Sequence, residues 1–405
     1  MKLNEKKNII NIVGSRSISR IGDIVFDFAN TNFLAHVSTN SLMLLGLYQA
    51  LENIIGVILN LLGGVIADRF KRKKILISSN ILSGIVCVGL SFISQEVWLI
   101  YAVIIINAIL AIISSFSSPS YKAFTKEIVE KQNITRINSY LEVSNTTIKV
   151  TVPVIAALLY KWLGVHGVLL IDGVTFFFSG LLIILIKPIN VETEKNENTS
   201  IKIIFSDLLL GIKYLIKHQE ILIVIILSAL VNFFLAAYNL VLPYSNQMFH
   251  GISDNLYSLF LTAEAVGGLL GATLSRYLNK DLLISKLMIF LGISGFSLLI
   301  SPIIFLIFHN LTTLLFAIGG FNLFLTIFNI QFFSIVQRDV ASDYLGRVFG
   351  IIFTIAVLFM PIGSGVFSFM LKTTFLFNFS IVGVGMIILA VIFRLVFSRK
   401  NKYQK

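Results

Sequence analysis

The sequence is poor in charge. Of its 405 residues only 13% are Asp, Glu, Lys or Arg, against about 25% in an ordinary soluble domain. With 56% hydrophobic residues, the chain has too few ionisable side chains to cover a surface facing water, and that surface is assigned to lipid. Cysteine is nearly absent: Cys87 stands alone inside an apolar run, which excludes an internal disulfide and a cysteine-cluster metal site and leaves a packing role. The five histidines are scattered, with His36, His166, His250 and His309 expected in outer loops, so no metal site is expected. There is no GxxxxGK[ST] loop, no HExxH pair and no polar stretch long enough for a nucleotide-hydrolysing domain. An ATP-driven pump and a membrane metalloprotease therefore lack their chemistry, and neither enzymatic activity nor a bound cofactor is expected.

What is present is a succession of apolar runs. A helix needs about 20 apolar residues to cross the hydrocarbon, and marking the runs between charge clusters gives twelve. They lie near 9–35, 41–66, 75–95, 97–118, 139–163 and 165–187, then near 219–248, 253–276, 282–308, 311–337, 346–371 and 374–397. The opening MKLNEKKNII is charged, but the run after it is broken by Arg16, Arg20, Asp23 and Asp27 and has no small-residue cleavage site. It reads as a retained first span.

Lys and Arg set the orientation, because short basic loops are held in the cytoplasm. With both termini inside, the inner loops and tails take nearly all basic residues, leaving Lys161 and Lys372 outside and Lys149 within a span. The net charge of +12 is then a membrane-surface signature opposite anionic lipid; nucleic-acid binding would need a compact basic domain. Trp98 and Trp162 fall at outer span ends, where indoles anchor. The expected location is the plasma membrane of a bacterial-type cell.

Two six-span halves, 1–187 and 219–405, flank a polar stretch at 188–218 that begins PINVETEKNENTS. It reads as a cytoplasmic linker followed by an amphipathic segment with Phe205, Leu208, Leu209, Ile212 and Leu215 at helical spacing. That segment either lies in the membrane interface or packs on the inner ends of the bundle. The halves repeat: Gly64 and Gly271, Arg69 and Arg276, Pro153 and Pro361, and Arg136 and Arg347 are offset by 207 to 211 residues. Duplicated six-helix halves around a central site are a plan for alternating access. The fold class expected is thus an all-α integral membrane protein, twelve transmembrane helices in two pseudo-symmetric six-helix bundles.

GGVIADRFKRKK at 63–74 ends the second span, and GGLLGATLSRYLNK at 267–280 is its eroded copy. In these strings the sequence resembles the major facilitator superfamily over nearly its whole length. Gly64, Ala67, Asp68, Arg69, Arg72 and Lys73 match the family's loop motif, whereas Lys71 replaces its second glycine. PSYKAFTKEIVEKQNITRINSY from Pro119, VPVIAALLY from Val152, LLIDGVTFF from Leu169, FSDLLLGIKYL from Phe205 and GRVFGIIFTIAVLFMPIG from Gly346 resemble the macrolide-efflux and siderophore-export branch of the drug:proton antiporters. The resemblance implies a cytoplasmic gating motif of Gly64, Asp68, Arg69 and Arg72, with a partner helix near 346–350. The competing reading is that the basic residues from Arg69 to Lys74 only set topology.

Charge inside a span is costly, about 2.5 to 3.5 kcal/mol at the bilayer centre on insertion scales, so intramembrane acids face a cavity or a partner. Arg16, Arg20, Asp23 and Asp27 are spaced by four, three and four residues, which confines them to an arc of about 60° on one helix. Asn30 extends the stripe. Burial raises a carboxyl's pKa and a nearby arginine lowers it, so Asp23 and Asp27 are the leading proton-coupling candidates; the alternative is a permanent salt bridge with Arg20. Glu52, Glu142 and Glu264 are further candidates, and Thr146 and Lys149 join Glu142 near Pro153 as a possible polar cavity wall on the fifth span. The glycine-rich antiporter pattern around that proline is missing, Val152 preceding it and Ala156 and Ala157 following. Asp172 is expected to make a structural hydrogen bond. Phe176, Phe233, Phe234, Phe324 and Phe328 suit either an apolar cavity or packing.

These features point to a monomeric secondary transporter driven by the proton gradient that exports a bulky apolar or cationic small molecule such as a macrolide. The rivals are export of an endogenous siderophore, peptide or lipid, facilitated diffusion of a small nutrient, and a sensor or scaffold that has lost transport.

Overall fold

The computed structural model describes residues 3–37, 40–189, 219–278, 284–339 and 342–403, with the side chains of 60–69, 131, 135, 219–221, 284–285, 337–339, 342–350, 353, 356–357 and 399–403 outside the description. The predicted linker and amphipathic segment at 188–218 thus fall, from residue 190, outside the described residues. The regular elements are helices only: α1 Leu3–Val37, α2 Ser41–Arg69, α3 Arg72–Ser91, α4 Glu96–Ile128, α5 Ile134–Leu185, α6 Gln219–Val241, the single turn α7 Ser245–Met248, α8 Leu256–Ser275, α9 Ile284–Phe308, α10 Leu311–Asp339, α11 Ser342–Met370 and α12 Asn378–Tyr403, with 3-10 turns at Lys131–Asn133 and Leu242–Tyr244.

Nine helices among the described residues are long and apolar enough to cross a membrane. α1 is not one of them because of its charges, and α11 qualifies only as a shorter apolar stretch, Leu358–Met370. α5, at 52 residues, would measure about 78 Å if straight, far more than a bilayer. It is not straight. Gly164 takes φ 64° and ψ −172°, a conformation open to glycine alone, and the two arms return along α1. Ser144 on the first arm meets Ser17, while Ser179 on the second meets Ser15; two positions 35 residues apart reach the same level of α1 only if the helix doubles back between them. The sequence boundary between the fifth and sixth spans falls on this residue.

The chain forms two compact units. Of the described residues, 3–41 and 51–189 fall in the first, and 42–50 and 219–403 in the second. In the first, α5 packs against both α1 and α3. Close approach is built on missing Cβ atoms: a methyl at Gly84 would lie 3.1 Å from the Gly173 carbonyl oxygen, and one at Gly173 would lie 2.6 Å from Val88 Cγ2. In lipid, where apolar side chains gain nothing by leaving one greasy medium for another, such backbone approach is a main source of helix association.

Around the N-terminal end of α1, Ile9, Ile12, Leu76, Phe124, Ile128 and Ile183 form a buried cluster. Polar groups sew it shut. Asn8 Nδ2 donates to the carbonyls of Ile128 (3.2 Å) and Lys187 (2.7 Å), and Asn8 Oδ1 accepts from Lys187 N (3.0 Å). Glu5 Oε1 accepts from Glu130 N and Asn133 Nδ2 at 2.9 and 2.8 Å. These side chains satisfy backbone groups that the ends of α4 and α5 leave open.

The second unit is held largely by rings. Tyr238 of α6 lies 4.8 Å from Phe321 and 5.3 Å from Phe379, and Phe249 meets Phe260, Phe305 and Phe379. Phe233, Phe234 and Phe367 form a further group, as do Phe290 with Phe324 and Phe328 with Phe332. α8 and α10 touch backbone to backbone, since a Cβ at Gly267 or Gly271 would collide with the carbonyl of Gly319 or Leu323. Exposed Trp98, Trp162, Phe316 and Phe369 lie on the outside, in keeping with an apolar surrounding.

Candidate functional site

A cavity of about 240 Å³ lies within the first unit. Three helices supply its charged groups and a fourth adds neutral polar ones. α1 contributes Arg16, Arg20, Asp23 and Asp27, the stripe read from their spacing; α2 contributes Glu52, α5 Asp172 and α4 Asn107 and Tyr121. Asn80 and Ser83 of α3 and Ser114, Ser117 and Ser118 of α4 complete the polar lining, with Phe176 as an apolar patch.

The groups are partnered unequally. Arg20 Nη1 stands 3.8 Å from Asp23 Oδ2, both about a third exposed, a pair loose enough to open at little cost. The Arg16 guanidinium sits 4.9 Å from the centre of the Tyr121 ring, where the π face stabilises a cation. Tyr121 is itself fixed by hydroxyl bonds to Ser15 (3.0 Å) and Ser179 (3.4 Å), and Ser15 meets Ser179 at 2.8 Å. α1, α4 and α5 are thus tied together directly beneath the arginine. Glu52 lies within hydrogen-bonding reach of Asn107. Asp172 is wholly buried and accepts a bond from the Cys87 thiol at 3.3 Å. Gly22 makes room for it, because a methyl there would collide with Asp172 Oδ1 and Thr175 Oγ1.

Of the candidates named from sequence, Arg16, Arg20, Asp23, Asp27 and Glu52 are brought together. Asn30 is buried on α1 and does not line the cavity; neither atom of its amide has a hydrogen-bond partner. Glu142 and Lys149 are exposed and Thr146 half-buried on the first arm of α5, and none of the three lines this cavity, whose α5 wall comes from the second arm. Glu264 sits in the second unit, half-buried, accepting a 2.5 Å bond from the Tyr238 hydroxyl. Arg72 pairs with Glu127 of α4 at 2.7 Å, both largely buried and both in the first unit. Lys73 caps the end of α5, donating to the carbonyls of Ile184 and Ile186 at 2.8 Å. The backbone of 60–69 continues α2, but the side chains of Asp68 and Arg69, like those of the expected partner segment 346–350, lie outside the described residues, as does anything beyond the backbone at Gly64. Sequence reasoning missed Asn80, Ser83, Asn107 and the serines of α4. The string SSFSSPS at 114–120, polar in the middle of an apolar run, was the signal available for the last.

The chain matches a family model described as Major Facilitator Superfamily over residues 15–364. The chain belongs to the major facilitator superfamily. Among curated relatives it is similar to Macrolide efflux protein A of Streptococcus pyogenes, 23% identical over 380 residues that span 89% of this chain and 88% of the relative. A protein of the same name from Enterococcus faecalis is 25% identical over 319 residues, 74% of this chain and 92% of that one. Among solved structures, the nucleoside transporter NupG superposes with a TM-score of 0.73 at 14% identity, covering 96% of this chain and 99% of that one, a likeness of fold. As a major facilitator protein the chain is a multi-pass membrane transporter of small molecules and not an enzyme.

Proposed function

We propose that this transporter exports macrolide-like or other bulky apolar or cationic drugs in exchange for protons, by alternating access, from a cell membrane in which both termini are cytoplasmic. The observation that carries this reading is the cavity of the first unit, where carboxyls on three helices and two guanidiniums share a wall otherwise made of neutral polar and apolar groups. Such a wall is expensive to maintain in a membrane, with four carboxyls and two arginines among the residues that line it, and a proton on one carboxyl lowers that cost. The names borne by the streptococcal and enterococcal relatives support macrolides as the first compounds to test, and the abundance of Lys and Arg in the inner loops supports the orientation.

The exchange works through the ion pairs. A proton on one of the cavity carboxyls removes a negative charge that the arginines or a cationic substrate would otherwise meet. A cationic substrate competes for the same carboxylates, so proton and drug exclude one another, which is the condition for antiport. One proton crossing 100 mV and one pH unit releases about 3.7 kcal/mol, enough for a gradient of a few hundredfold in a neutral drug, whereas exchange for a monocation moves no net charge and draws on the pH difference alone. No bound cofactor enters this scheme. Everted vesicles carrying the transporter test it: adding a macrolide is expected to move protons across the membrane and to accumulate the drug, with both effects abolished by an uncoupler. Folded transporter that moves no protons with any of a panel of macrolides and cationic drugs contradicts the reading.

A further inference from the structure

Asp172 stands apart from the other acids of the cavity. No part of it is accessible, and it lies between Gly22 of α1 and Cys87 of α3. Its partners are neutral: the Cys87 thiol donates to Oδ2 at 3.3 Å, and the Thr175 hydroxyl reaches Oδ1 at 3.5 Å while making its shorter bond, 2.7 Å, to the Asp172 carbonyl. The charges that face it come from α1, where Asp23 and Asp27 are the nearest and both acidic. Arg20 is engaged with Asp23 and Arg16 with the Tyr121 ring, and Glu52 lines the same cavity from α2. Ionised Asp172 would add a negative charge to a cavity already lined by Asp23, Asp27 and Glu52. A protonated Asp172 adds none.

We propose that Asp172 is the carboxyl of this cavity that binds and releases the coupled proton, and that Cys87 is the positioning group that holds it in the wall. The proposal rests on the proton-exchange reading above. The step is a proton transfer alone: when the cavity that Asp172 helps to line opens to water, a proton adds to a carboxylate oxygen, and it returns to water when the drug or the opposite opening of the transporter displaces it. The thiol keeps its own hydrogen throughout. Asp23, paired with Arg20, then serves substrate orientation.

The test uses the full chain reconstituted in proteoliposomes, with a radiolabelled macrolide followed in two assays. Gradient-driven accumulation requires coupling, whereas drug-for-drug exchange at equal pH does not. Asp172→Asn is expected to lower accumulation at least about tenfold more than it lowers drug-for-drug exchange. Cys87→Ala, which deletes the donor, is expected to move the pH profile of accumulation toward alkaline by roughly half a unit or more, because a carboxylate that loses a donor is harder to charge. Cys87→Ser restores a donor and is expected to restore the profile. Accumulation by Asp172→Asn at the level of the unaltered transporter overturns the proposal. Should that variant not fold, superimposable pH profiles for Cys87→Ala and the unaltered transporter overturn it instead. If the unaltered transporter exchanges drug but shows no dependence on the pH gradient, the proton-exchange reading itself fails and this assignment falls with it.

Discussion

The two units share a helical plan but spend their polar residues differently. In the first, six ionisable groups surround one cavity, and the helices around them are joined by hydroxyls and close glycine approaches. In the second, the one intramembrane acid singled out, Glu264, is bound by a tyrosine that is 1% exposed and wedged between Phe321 and Phe379. Charge clustered around a cavity can exchange partners; a single acid held by one hydroxyl in a bed of rings is held still. Under the proposed exchange, the first unit handles proton and polar groups and the second supplies rigidity.

That division can be broken. The largest effect is expected at Asp23 and Asp27, where replacement by Asn should abolish uphill drug transport in vesicles; full activity in both single variants would remove the α1 stripe from the transport machinery. Next is Gly22→Val, which forces a branched side chain into Asp172 and Thr175. Overpacking of this kind costs about 1–3 kcal/mol or more, and a lower melting temperature together with reduced folded yield should report it. Third, Arg72→Ala strips Glu127 of its partner. Leaving a buried carboxylate unpaired costs about 3–5 kcal/mol where burial is complete; with both groups about an eighth exposed, the loss in thermal stability should fall toward the lower end, and the double change with Glu127→Ala should recover part of it.

The contrast is sharpened by the second unit. Tyr238→Phe removes the bond to Glu264 and should cost about 1–3 kcal/mol while changing transport by only a few-fold. A complete loss of transport with unchanged stability would place proton chemistry in the second unit as well.

Much of this was legible along the chain because membranes impose simple rules. Long apolar runs marked the spans, Gly164 fell on the boundary between two of them, and the four-three-four spacing placed Arg16, Arg20, Asp23 and Asp27 on one face before any partner was known. Legibility ended where a residue's meaning depends on another helix. Asp172 read as a structural hydrogen bonder, and it does accept from Cys87 and Thr175, but nothing in LLIDGVTFF shows that Gly22 and the α1 stripe are its neighbours. Glu142 and Lys149 shared a helical face near a proline, yet the arm that carries them turns other residues toward α1. Arg72 was recognisable as part of a loop motif, but its partner Glu127 is 55 residues away and no local pattern pairs them.

The most direct measurement is drug accumulation in proteoliposomes at matched voltage, with the pH gradient imposed in one direction, then reversed, then removed. Exchange through the charged cavity predicts that a macrolide concentrates on the side richer in protons, that reversal sends it to the opposite side, and that removal abolishes accumulation. Equal uptake under all three conditions, by protein that still binds the drug, would contradict the account.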